Sequence, residues 1–330
     1  MSIICIVALL FGSADAFPRP LGAFPRHSSR TRLRASVGND KGDDDDYSTF
    51  SCWVPTRISR EEGERIMDGT ILPGKEYDLR ICFGRDAQDL ESSTLVAAQD
   101  PRMKYTYGEF PLRSTDQLVD LALSHYRHQP KKIPKSVTMI DLGSGCGRLV
   151  LYWALTRGYD DDSDTQWNMH GIEISDILHD EALRACLSGL DHGWFQLQPQ
   201  RQQQQQPATL PYNNLPHLAS ATQQHSPQKL NQFTLHLGPA EEFASLFQQA
   251  DIVFAYSTVW DTAGFSEQLG AIVMSREWNE LLSQTCRPGT IVITTDRCLD
   301  PMYGWKLLDR LDVDNREVMG STGYIQILEP

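Results

Sequence analysis

The segment from Asp141 to Gly147, DLGSGCG, combines an acid with three glycines at alternate positions, Gly143, Gly145 and Gly147. Glycine has no Cβ, so the chain can turn sharply there and a ligand can lie against bare backbone. The spacing is G-x-G-x-G, whereas dinucleotide sites typically carry G-x-G-x-x-G. A carboxylate at Asp141 would repel a pyrophosphate and attract an ammonium group. The segment therefore favours a ligand with an ammonium group over a dinucleotide.

The flanking sequence predicts the elements that position this turn. Residues 137–142, VTMIDL, form an apolar run that is typical of a buried parallel strand. From Arg148 onward the apolar residues follow helical spacing, and they are Leu149, Val150, Trp153 and Leu155. A second strand is predicted over 168–174, with another acid, Glu173, near its end. A strand, a glycine turn and a helix N-terminus together form a nucleotide-cofactor site.

On these residues the chain resembles the class I S-adenosylmethionine (SAM) methyltransferases, whose first motif is an acid, any residue, then G-x-G-x-G. The resemblance implies SAM as the cofactor. In that family the first acid lies near the methionine part of SAM, and the acid of the next strand, here Glu173, accepts from both ribose hydroxyls. The implied cofactor-binding residues are Tyr107, Asp141, Gly143, Ser144, Gly145, Gly147, Glu173 and Ala240. The alternative is a glycine turn in another kind of α/β domain.

A loop motif, Y-G-E at 107–109, precedes a helix with a predicted capping box, in which Ser114 is the N-cap and Gln117 lies three residues on. The order of Y-G-E, a helix and D-L-G-S-G-x-G resembles the Dot-type (disruptor of telomeric silencing) histone-lysine methyltransferases, over roughly residues 103–300. The resemblance implies that this loop closes over the cofactor and that Glu109 lies near the methionine end of SAM. The alternative for Glu109 is a helix-capping or surface acid.

The methyl acceptor is expected after the fourth strand, in the segment from Tyr256 to Asp261, YSTVWD. Dot-type enzymes carry N-N-F-x-F there, and this chain has Tyr256 and Ser257 in place of the two asparagines and Trp260 in place of the second aromatic residue. We expect Tyr256 and Trp260 to line an acceptor channel, and with Glu109 they are the candidate catalytic residues. The alternative is that Trp260 belongs to the core and Tyr256 only ends a strand.

The adenine region departs from the family pattern. Family members often carry an acid after the glycine that ends the third strand, whereas here Gly238 is followed by Pro239 and Ala240. Glu241 and Glu242 are the acids available to take that place. The departure concerns the adenine contacts rather than the choice of cofactor.

The complete pattern predicts an α/β fold, a Rossmann-like seven-stranded class I methyltransferase sheet with helices on both faces and a small helical N-terminal extension. Beyond the first two strands, the expected strands are 233–237, 250–256, 290–294, 305–313 and 322–329, the last two as an antiparallel pair. Further helices are expected over 56–70, 175–190 and 267–286. Ile272 is expected on the inner side of the last helix.

Domain boundaries follow shifts in composition. Residues 1–16 hold a short apolar run before an A-x-A cleavage pattern, typical of a signal peptide, and residues 17–35 are rich in Arg and Ser, typical of a transit peptide. Together they resemble the two-part presequences of algae whose plastids came from another alga, which implies a plastid location; plain secretion and a buried N-terminal strand are the alternatives. The remaining divisions are an acidic linker at 36–49, an N-terminal helical extension with the cofactor-closing loop at 50–134, and a SAM-binding domain at 135–330 with a disordered Gln-rich insertion at 196–232.

The formal net charge is -13 at neutral pH. Residues 1–35 hold five arginines against one acid, so their removal would leave -17. A chain with this much negative charge binds nucleic acid poorly, and the expected partner is a protein or amine substrate. No membrane span is expected in the mature chain, and none of the seven cysteines forms a C-x-x-C pair that would indicate a metal or redox site. The oligomeric state stays open.

The sequence therefore predicts a SAM-dependent methyltransferase that acts on a protein lysine or another amine in the plastid. Methyl transfer requires an acceptor lone pair in line with the S–CH₃ bond and the exclusion of water, so few side chains need to take part. A small-molecule methyltransferase is the alternative enzyme. A SAM-fold binding protein without catalysis is the alternative outside the enzymes.

Overall fold

The computed structural model describes residues 48–72, 108–127, 135–159, 165–197 and 230–330. The predicted presequence, most of the linker and insertion, and the candidate cofactor residue Tyr107 lie outside these ranges. Within them the α-helices are α1 (Arg60–Ile66), α2 (Leu112–Arg127), α3 (Arg148–Thr156), α4 (Asp176–Asp191), α5 (Ala244–Phe247) and α6 (Arg276–Thr285), and shorter π and 3-10 turns lie at Met67–Ile71, Ala240–Phe243 and Pro301–Tyr303. The strands are β1 (Thr49–Val54), β2 (Ser136–Leu142), β3 (Gln166–Glu173), β4 (Gln196–Leu197), β5 (Asn231–Leu237), β6 (Ile252–Ala255), β7 (Thr262–Ser266), β8 (Ala271–Met274), β9 (Ile291–Thr295), β10 (Trp305–Val313) and β11 (Ser321–Leu328).

Nine of these strands form one sheet in the order β10-β11-β9-β6-β2-β3-β5-β1-β4. Five neighbours at its centre, β9, β6, β2, β3 and β5, run parallel, as expected for strands that alternate with helices. β11 and β10 continue the sheet beyond β9 as the predicted antiparallel pair. After β2 the chain adds β3 and β5 on one side and then β6 and β9 on the other, so the strand order reverses between β2 and β6. These features confirm the predicted fold class.

The sheet has two strands more than the predicted seven. β1, in the N-terminal extension, pairs antiparallel with β5, with Thr49 opposite His236, and β4 pairs with β1 at the outer edge. The extension is therefore a strand followed by helices rather than helical alone, and β5 is not an edge strand. Residues 196–197 and 231–232, which were expected in the disordered insertion, belong to β4 and β5.

Helix α3 is buried on almost every side, because the N-terminal extension covers the face that points away from the sheet. A cluster of charged side chains holds the extension in place. Arg157, just after α3, donates to Asp116 and, at 2.8 Å, to Asp120 of α2. Arg60 of α1 donates to both oxygens of Asp120 at 2.6 and 2.8 Å. Because removal of one partner from a buried ion pair typically costs about 3–5 kcal/mol, this cluster makes the extension part of the same folding unit.

A β-hairpin formed by β7 and β8 occupies the region where the sequence favoured the start of a helix. The two strands pair with each other, and α6 begins only at Arg276. Gly270 has a φ of 63° in the connecting turn, a conformation that glycine adopts without strain. Ile272, expected to point inward, is 43% exposed and lies opposite Phe265. The helix prediction is therefore wrong for residues 267–275.

Helix α2 begins at Leu112, so the predicted N-cap residue Ser114 lies within its first turn. The hydroxyl of Ser114 donates to the backbone carbonyl of Asp314 at 2.6 Å. The predicted capping box is therefore wrong. The bond that replaces it fixes α2 to the loop between β10 and β11.

Candidate cofactor and acceptor site

A cavity of about 360 Å³ lies at the carboxyl ends of the parallel strands, next to the reversal between β2 and β6. Open α/β sheets bind their ligands at this position. The sequence-predicted residues that line the cavity are Glu109, Asp141, Gly143, Ser144, Gly145, Glu173, Ala240, Tyr256 and Trp260. Gly147 is not among the lining residues, and Tyr107 lies outside the described ranges.

The glycine turn contacts the end of β3 and leads directly into α3. The backbone N–H groups of Gly143 and Ser144 both donate to the carbonyl of Ile172, at 2.9 and 3.0 Å. Gly147 has a φ of 74°, and a Cβ added there would lie 3.1 Å from the Cβ of Ala182 in α4. Gly147 therefore allows the turn and the packing of α4, whereas the earlier residues of the turn face the cavity.

Glu173 ends β3, and it is 6% exposed. Its Oε2 accepts from the backbone N–H of Gly145 at 2.7 Å, and its Oε1 accepts from that of Ser175 at 2.8 Å. Because both donors are fixed backbone groups, these bonds orient the carboxylate at the end of β3. The geometry suits a ligand with two neighbouring hydroxyl groups.

Asp141 lies near the end of β2, lines the cavity and is only 3% exposed. Burial, and then the charge of Glu173, raise the pKa of its carboxyl to about 8. Within the described part of the chain, no hydrogen bond reaches the side-chain oxygens of Asp141. A buried carboxylate without a donor costs free energy, so this position favours a cation supplied by a ligand.

Carboxyl groups outnumber cations around the cavity. Among the described residues that line it, the acids are Glu109, Asp141, Glu173, Glu241, Asp261 and Glu277, and the cation is Arg148. Even with Asp141 protonated in the empty cavity, the acids outnumber the cation, and a surplus of negative charge in a cleft attracts cations and repels phosphates. The charge balance therefore agrees with the preference predicted from the DLGSGCG segment.

Glu109 is 5% exposed and faces the start of α3. Its Oε2 lies 3.6 Å from the Nε of Arg148, and its Oε1 lies 3.7 Å from the Sγ of Cys146. Arg148 also donates to the backbone carbonyl of Phe110 at 3.4 Å. Glu109 is therefore a buried acid beside the glycine turn and not a surface acid.

Tyr256 follows β6 and lies close to Glu109. The centroid of its ring is 5.1 Å from that of Phe110, and its hydroxyl is 3.1 Å from the Nδ2 of Asn315 and 3.3 Å from the Oε2 of Glu317. Burial raises the pKa of the Tyr256 phenol to about 12, so the hydroxyl keeps its hydrogen at neutral pH. Two of the three candidate catalytic residues, Glu109 and Tyr256, are thus brought together.

Trp260 borders the cavity from the other face of the sheet. It stacks on Trp278 of α6, with ring centroids 4.3 Å apart, and belongs to the same apolar cluster as Ala240. Tyr256 instead packs against the cluster that contains Phe254. Trp260 therefore lies beside the region expected to hold adenine, away from the other two catalytic candidates.

The residues between Tyr256 and Trp260 contact β9. Ser257, which stands in place of the second family asparagine, is fully buried and donates from its hydroxyl to the carbonyl of Thr295 at 2.8 Å. Thr258 donates to Asp296 at 2.5 Å. Neither side chain lines the cavity, so the positions of this motif serve to hold the loop in place.

Sequence reasoning missed Glu317 and Asn315 in the loop between β10 and β11. Glu317 accepts from the backbone N–H of Glu109 at 2.8 Å, across 208 positions of sequence. No local pattern marks either residue. Only the strand topology could have placed this loop near the site. Because β10 points in the same direction as the parallel strands, the loop after it must lie at the edge of the sheet where the cavity is.

Other kinds of site are not found in the described ranges. There, no group of three or more His, Cys, Asp or Glu side chains is arranged to hold a metal ion. In the same part of the chain, no helix is long and apolar enough to cross a membrane. The described cysteines, which are Cys52, Cys146, Cys186, Cys286 and Cys298, are buried free thiols.

No protein-family model matches the chain, and no curated protein matches it. Solved structures with a related fold include a candidate class I SAM-dependent methyltransferase from Listeria monocytogenes, at 12% identity over 83% of this chain and 82% of that one, with a TM-score of 0.40. Magnesium protoporphyrin IX methyltransferase from Synechocystis PCC 6803, solved with bound S-adenosylhomocysteine, matches at 12% identity over 75% and 98%, with a TM-score of 0.37. Precorrin-6y C5,15-methyltransferase from Geobacter metallireducens GS-15 matches at 11% identity over 64% and 86%, with a TM-score of 0.31.

These scores are too low to transfer an activity, and none of the three proteins is a Dot-type histone-lysine methyltransferase. The assignment of the fold rests instead on the strand order, with five parallel strands closed by an antiparallel pair. The fold is the Rossmann-like sheet of the class I methyltransferases.

Proposed function

We propose that the chain is a SAM-dependent methyltransferase. The observation that carries the proposal is Asp141, a buried carboxyl group that faces the cavity, has no hydrogen-bond donor within the described residues, and ionises readily only when a cation lies beside it. Such a group is stabilised when a ligand brings a cation to it. SAM carries an ammonium group and a sulfonium, and it has no phosphate that the carboxylates would repel.

The residues around the cavity fit each part of this ligand. Asp141 would hold the ammonium group, and Glu173, whose carboxylate is oriented by the backbone N–H groups of Gly145 and Ser175, would accept from the two ribose hydroxyls. Gly143 allows close approach to the backbone, because a Cβ added there would point towards the cavity wall formed by Trp260, at 3.5 Å. The stacked Trp260 and Trp278 beside Ala240 supply an apolar surface for adenine.

We further propose an amine as the methyl acceptor. When bound, SAM would supply an activated methyl group. The amine, bound as a cation, would first release a proton to solvent and so expose its lone pair. The new N–C bond would then form as the S–C bond breaks, the bonding pair would stay on sulfur, and the product would be a methylated ammonium. Glu109 and Tyr256 lie together at the acceptor end, where the carboxylate favours a cationic amine and the phenol oxygen can orient it. Phe110 and the aromatic ring of Tyr256 help to exclude water.

A protein lysine is the acceptor that we prefer among amines. Support comes from the sequence, where Y-G-E, a helix and D-L-G-S-G-x-G follow in the Dot-type order. The replacement of the family asparagines by Tyr256 and Ser257 weighs against a histone, because Ser257 donates to Thr295 and does not line the cavity. The plastid location is likewise a proposal, and its support is the composition of residues 1–35.

Calorimetry on the chain from residue 36 onward tests the cofactor. We expect binding of SAM and S-adenosylhomocysteine and no binding of NAD, whose pyrophosphate would meet Asp141 and Glu173. Tight NAD binding without a response to S-adenosylhomocysteine would refute the proposal.

Incubation with methyl-labelled SAM and a plastid extract, followed by separation by size, tests the acceptor. Label in protein bands supports the lysine proposal, and hydrolysis to methyl-lysine identifies the atom. Label in small molecules alone would favour a metabolite acceptor. SAM binding with no label transferred in any fraction would favour a SAM-fold binding protein without catalysis.

A further inference from the structure

We infer that Glu317 is a positioning residue that makes the hydroxyl of Tyr256 a hydrogen-bond acceptor for an amine at the acceptor end of the cavity. The inference rests on the proposed function, and it adds a residue and an acceptor chemistry to the same site. Glu317 lies in the loop between β10 and β11 and does not itself line the cavity, so it acts through Tyr256.

The carboxylate of Glu317 joins two segments of the acceptor end. Its Oε1 accepts from the backbone N–H of Glu109 at 2.8 Å, and its Oε2 lies 3.3 Å from the hydroxyl of Tyr256. Gly108 passes between them so closely that an added Cβ would lie 2.5 Å from Oε2 of Glu317 and 3.0 Å from the ring of Tyr256. The absence of a side chain at position 108 is what allows the three groups to meet.

Asn315 determines which groups donate. The backbone N–H of Glu317 donates to the Oδ1 of Asn315 at 3.0 Å, so the amide presents its Nδ2 to its other neighbours. That Nδ2 donates to the hydroxyl oxygen of Tyr256 at 3.1 Å and to the Oγ of Ser321 at 2.8 Å. Ser321 can accept because its own hydrogen goes to a carboxylate oxygen of Asp296 at 2.9 Å.

The direction of the Tyr256 hydroxyl follows from these bonds. Its oxygen accepts from Asn315, and an ionised carboxylate at Glu317 can only accept, so the hydroxyl hydrogen points to Glu317. One lone pair of the oxygen then remains for the cavity that Tyr256 lines. That lone pair accepts from a ligand N–H and cannot donate to a ligand, and the nearby carboxylate of Glu109 favours an amine that carries a positive charge.

The test uses two SAM analogues that differ at the reacting position. S-adenosylhomocysteine has a bare sulfur there, whereas sinefungin carries a primary amine. We expect the wild-type chain to bind sinefungin more tightly than S-adenosylhomocysteine. Glu317→Gln should lower the affinity for sinefungin by about tenfold, because its carboxamide can donate to Tyr256 and reverse the hydroxyl, while the affinity for S-adenosylhomocysteine stays within about twofold.

A double-mutant cycle separates positioning from other effects. Tyr256→Phe should remove the preference for sinefungin. Glu317→Gln added to Tyr256→Phe should then change nothing further, because glutamine keeps an oxygen that can accept from Glu109 and the hydroxyl that it would reverse is gone. Glu329→Gln is the matched control, since Glu329 is exposed and pairs with Lys306 at 2.9 Å. It should leave both affinities unchanged.

The outcomes distinguish the two proposals. A wild-type chain that does not bind S-adenosylhomocysteine would overturn the proposed function, and the inference with it. Binding of S-adenosylhomocysteine, with a sinefungin affinity that Glu317→Gln leaves unchanged or lowers equally in the Tyr256→Phe background, would overturn the inference alone. If Glu317→Gln does not fold, Tyr256→Phe still decides, because an unchanged preference for sinefungin in that variant would refute the acceptor role.

Discussion

Asp141→Asn is expected to stabilise the folded chain while it weakens the binding of SAM. The carboxyl of Asp141 has a pKa of about 8 in the folded protein, against an ordinary value of 3.8. The folded state therefore holds this proton more tightly than the unfolded state. The stability that the proton contributes is complete below about pH 4 and is lost as the pH rises towards 8, so the ligand-free protein becomes less stable over that range through this group.

The size of the effect follows from the pKa difference. At about 1.4 kcal/mol per pKa unit, the loss of stability is on the order of 5 kcal/mol. Asparagine avoids this loss because it carries no charge, but its buried amide without partners costs about 1–3 kcal/mol. The net gain near pH 8.5 corresponds to a rise in Tm of roughly 5 °C or more. Near pH 5, where the carboxyl of Asp141 is protonated, the two proteins should melt within about 2 °C of each other.

The same substitution removes the carboxylate proposed to hold the ammonium group of SAM. A hydrogen bond between charged groups contributes about 1.5–3 kcal/mol, so SAM should bind Asp141→Asn roughly tenfold to a hundredfold more weakly. Differential scanning calorimetry at the two pH values and isothermal titration with S-adenosylhomocysteine near pH 8 measure both effects on the same samples. Gain of stability with loss of binding is a combination that a purely structural aspartate would not show.

Asp314→Asn is the matched control, because Asp314 is exposed in the loop after β10. It should melt close to the wild type and show no change in binding. If Asp141→Asn melts below the wild type at both pH values, Asp141 has a partner within the fold and the reasoning fails. If its Tm rises as expected but its affinity for S-adenosylhomocysteine is unchanged, the assignment of the ammonium group to Asp141 fails.

Three further outcomes are expected. Glu173→Ala should weaken SAM binding by roughly one to three powers of ten, because the ribose loses both acceptors, and Glu173→Gln should weaken it by less, because one acceptor remains. Titration measures both affinities, and unchanged affinity in folded Glu173→Ala would contradict the prediction. Gly147→Ala should lower the free energy of unfolding in urea by more than Gly270→Ala. Both glycines have positive φ, so either substitution costs about 1–2 kcal/mol, but only a methyl group at position 147 would also press against α4. A fluorescent protein fused after residues 1–35 should enter the plastid in an alga whose plastid came from another alga. The same protein fused to residues 17–35 alone should stay in the cytosol. Secretion of the first fusion would refute the plastid location.

The cofactor side of the site is predictable from sequence because its chemistry is local. Asp141, Gly143 and Gly145 lie within five positions, and the apolar runs on either side of them specify a strand and a helix. Glu173 lies near the end of the next predicted strand, and parallel neighbours place their carboxyl ends at the same edge of the sheet. Composition and spacing are therefore enough to bring these four residues together.

The acceptor side is not predictable in this way, because its contacts join distant segments. The order of the strands decides which loop contacts Glu109, and no sequence pattern around Glu317 predicts its hydrogen bond with the backbone of Glu109. The hairpin was missed for a related reason. The short apolar run of β8 is compatible with a helix or a strand, and its pairing with β7 and its hydrogen bonds with Cys298 decide the outcome.

The pairing of β1 with β5 also determines how late in synthesis the sheet can be completed. Thr49 and His236, which face each other in this pair, are 187 positions apart. At about 5–20 residues per second, a ribosome needs roughly 10–40 s to make the chain between them. For that time β1 has been synthesised and its partner strand has not, so the extension cannot complete its fold. A polypeptide in that condition can still pass through a narrow pore, which the proposed entry into the plastid would require.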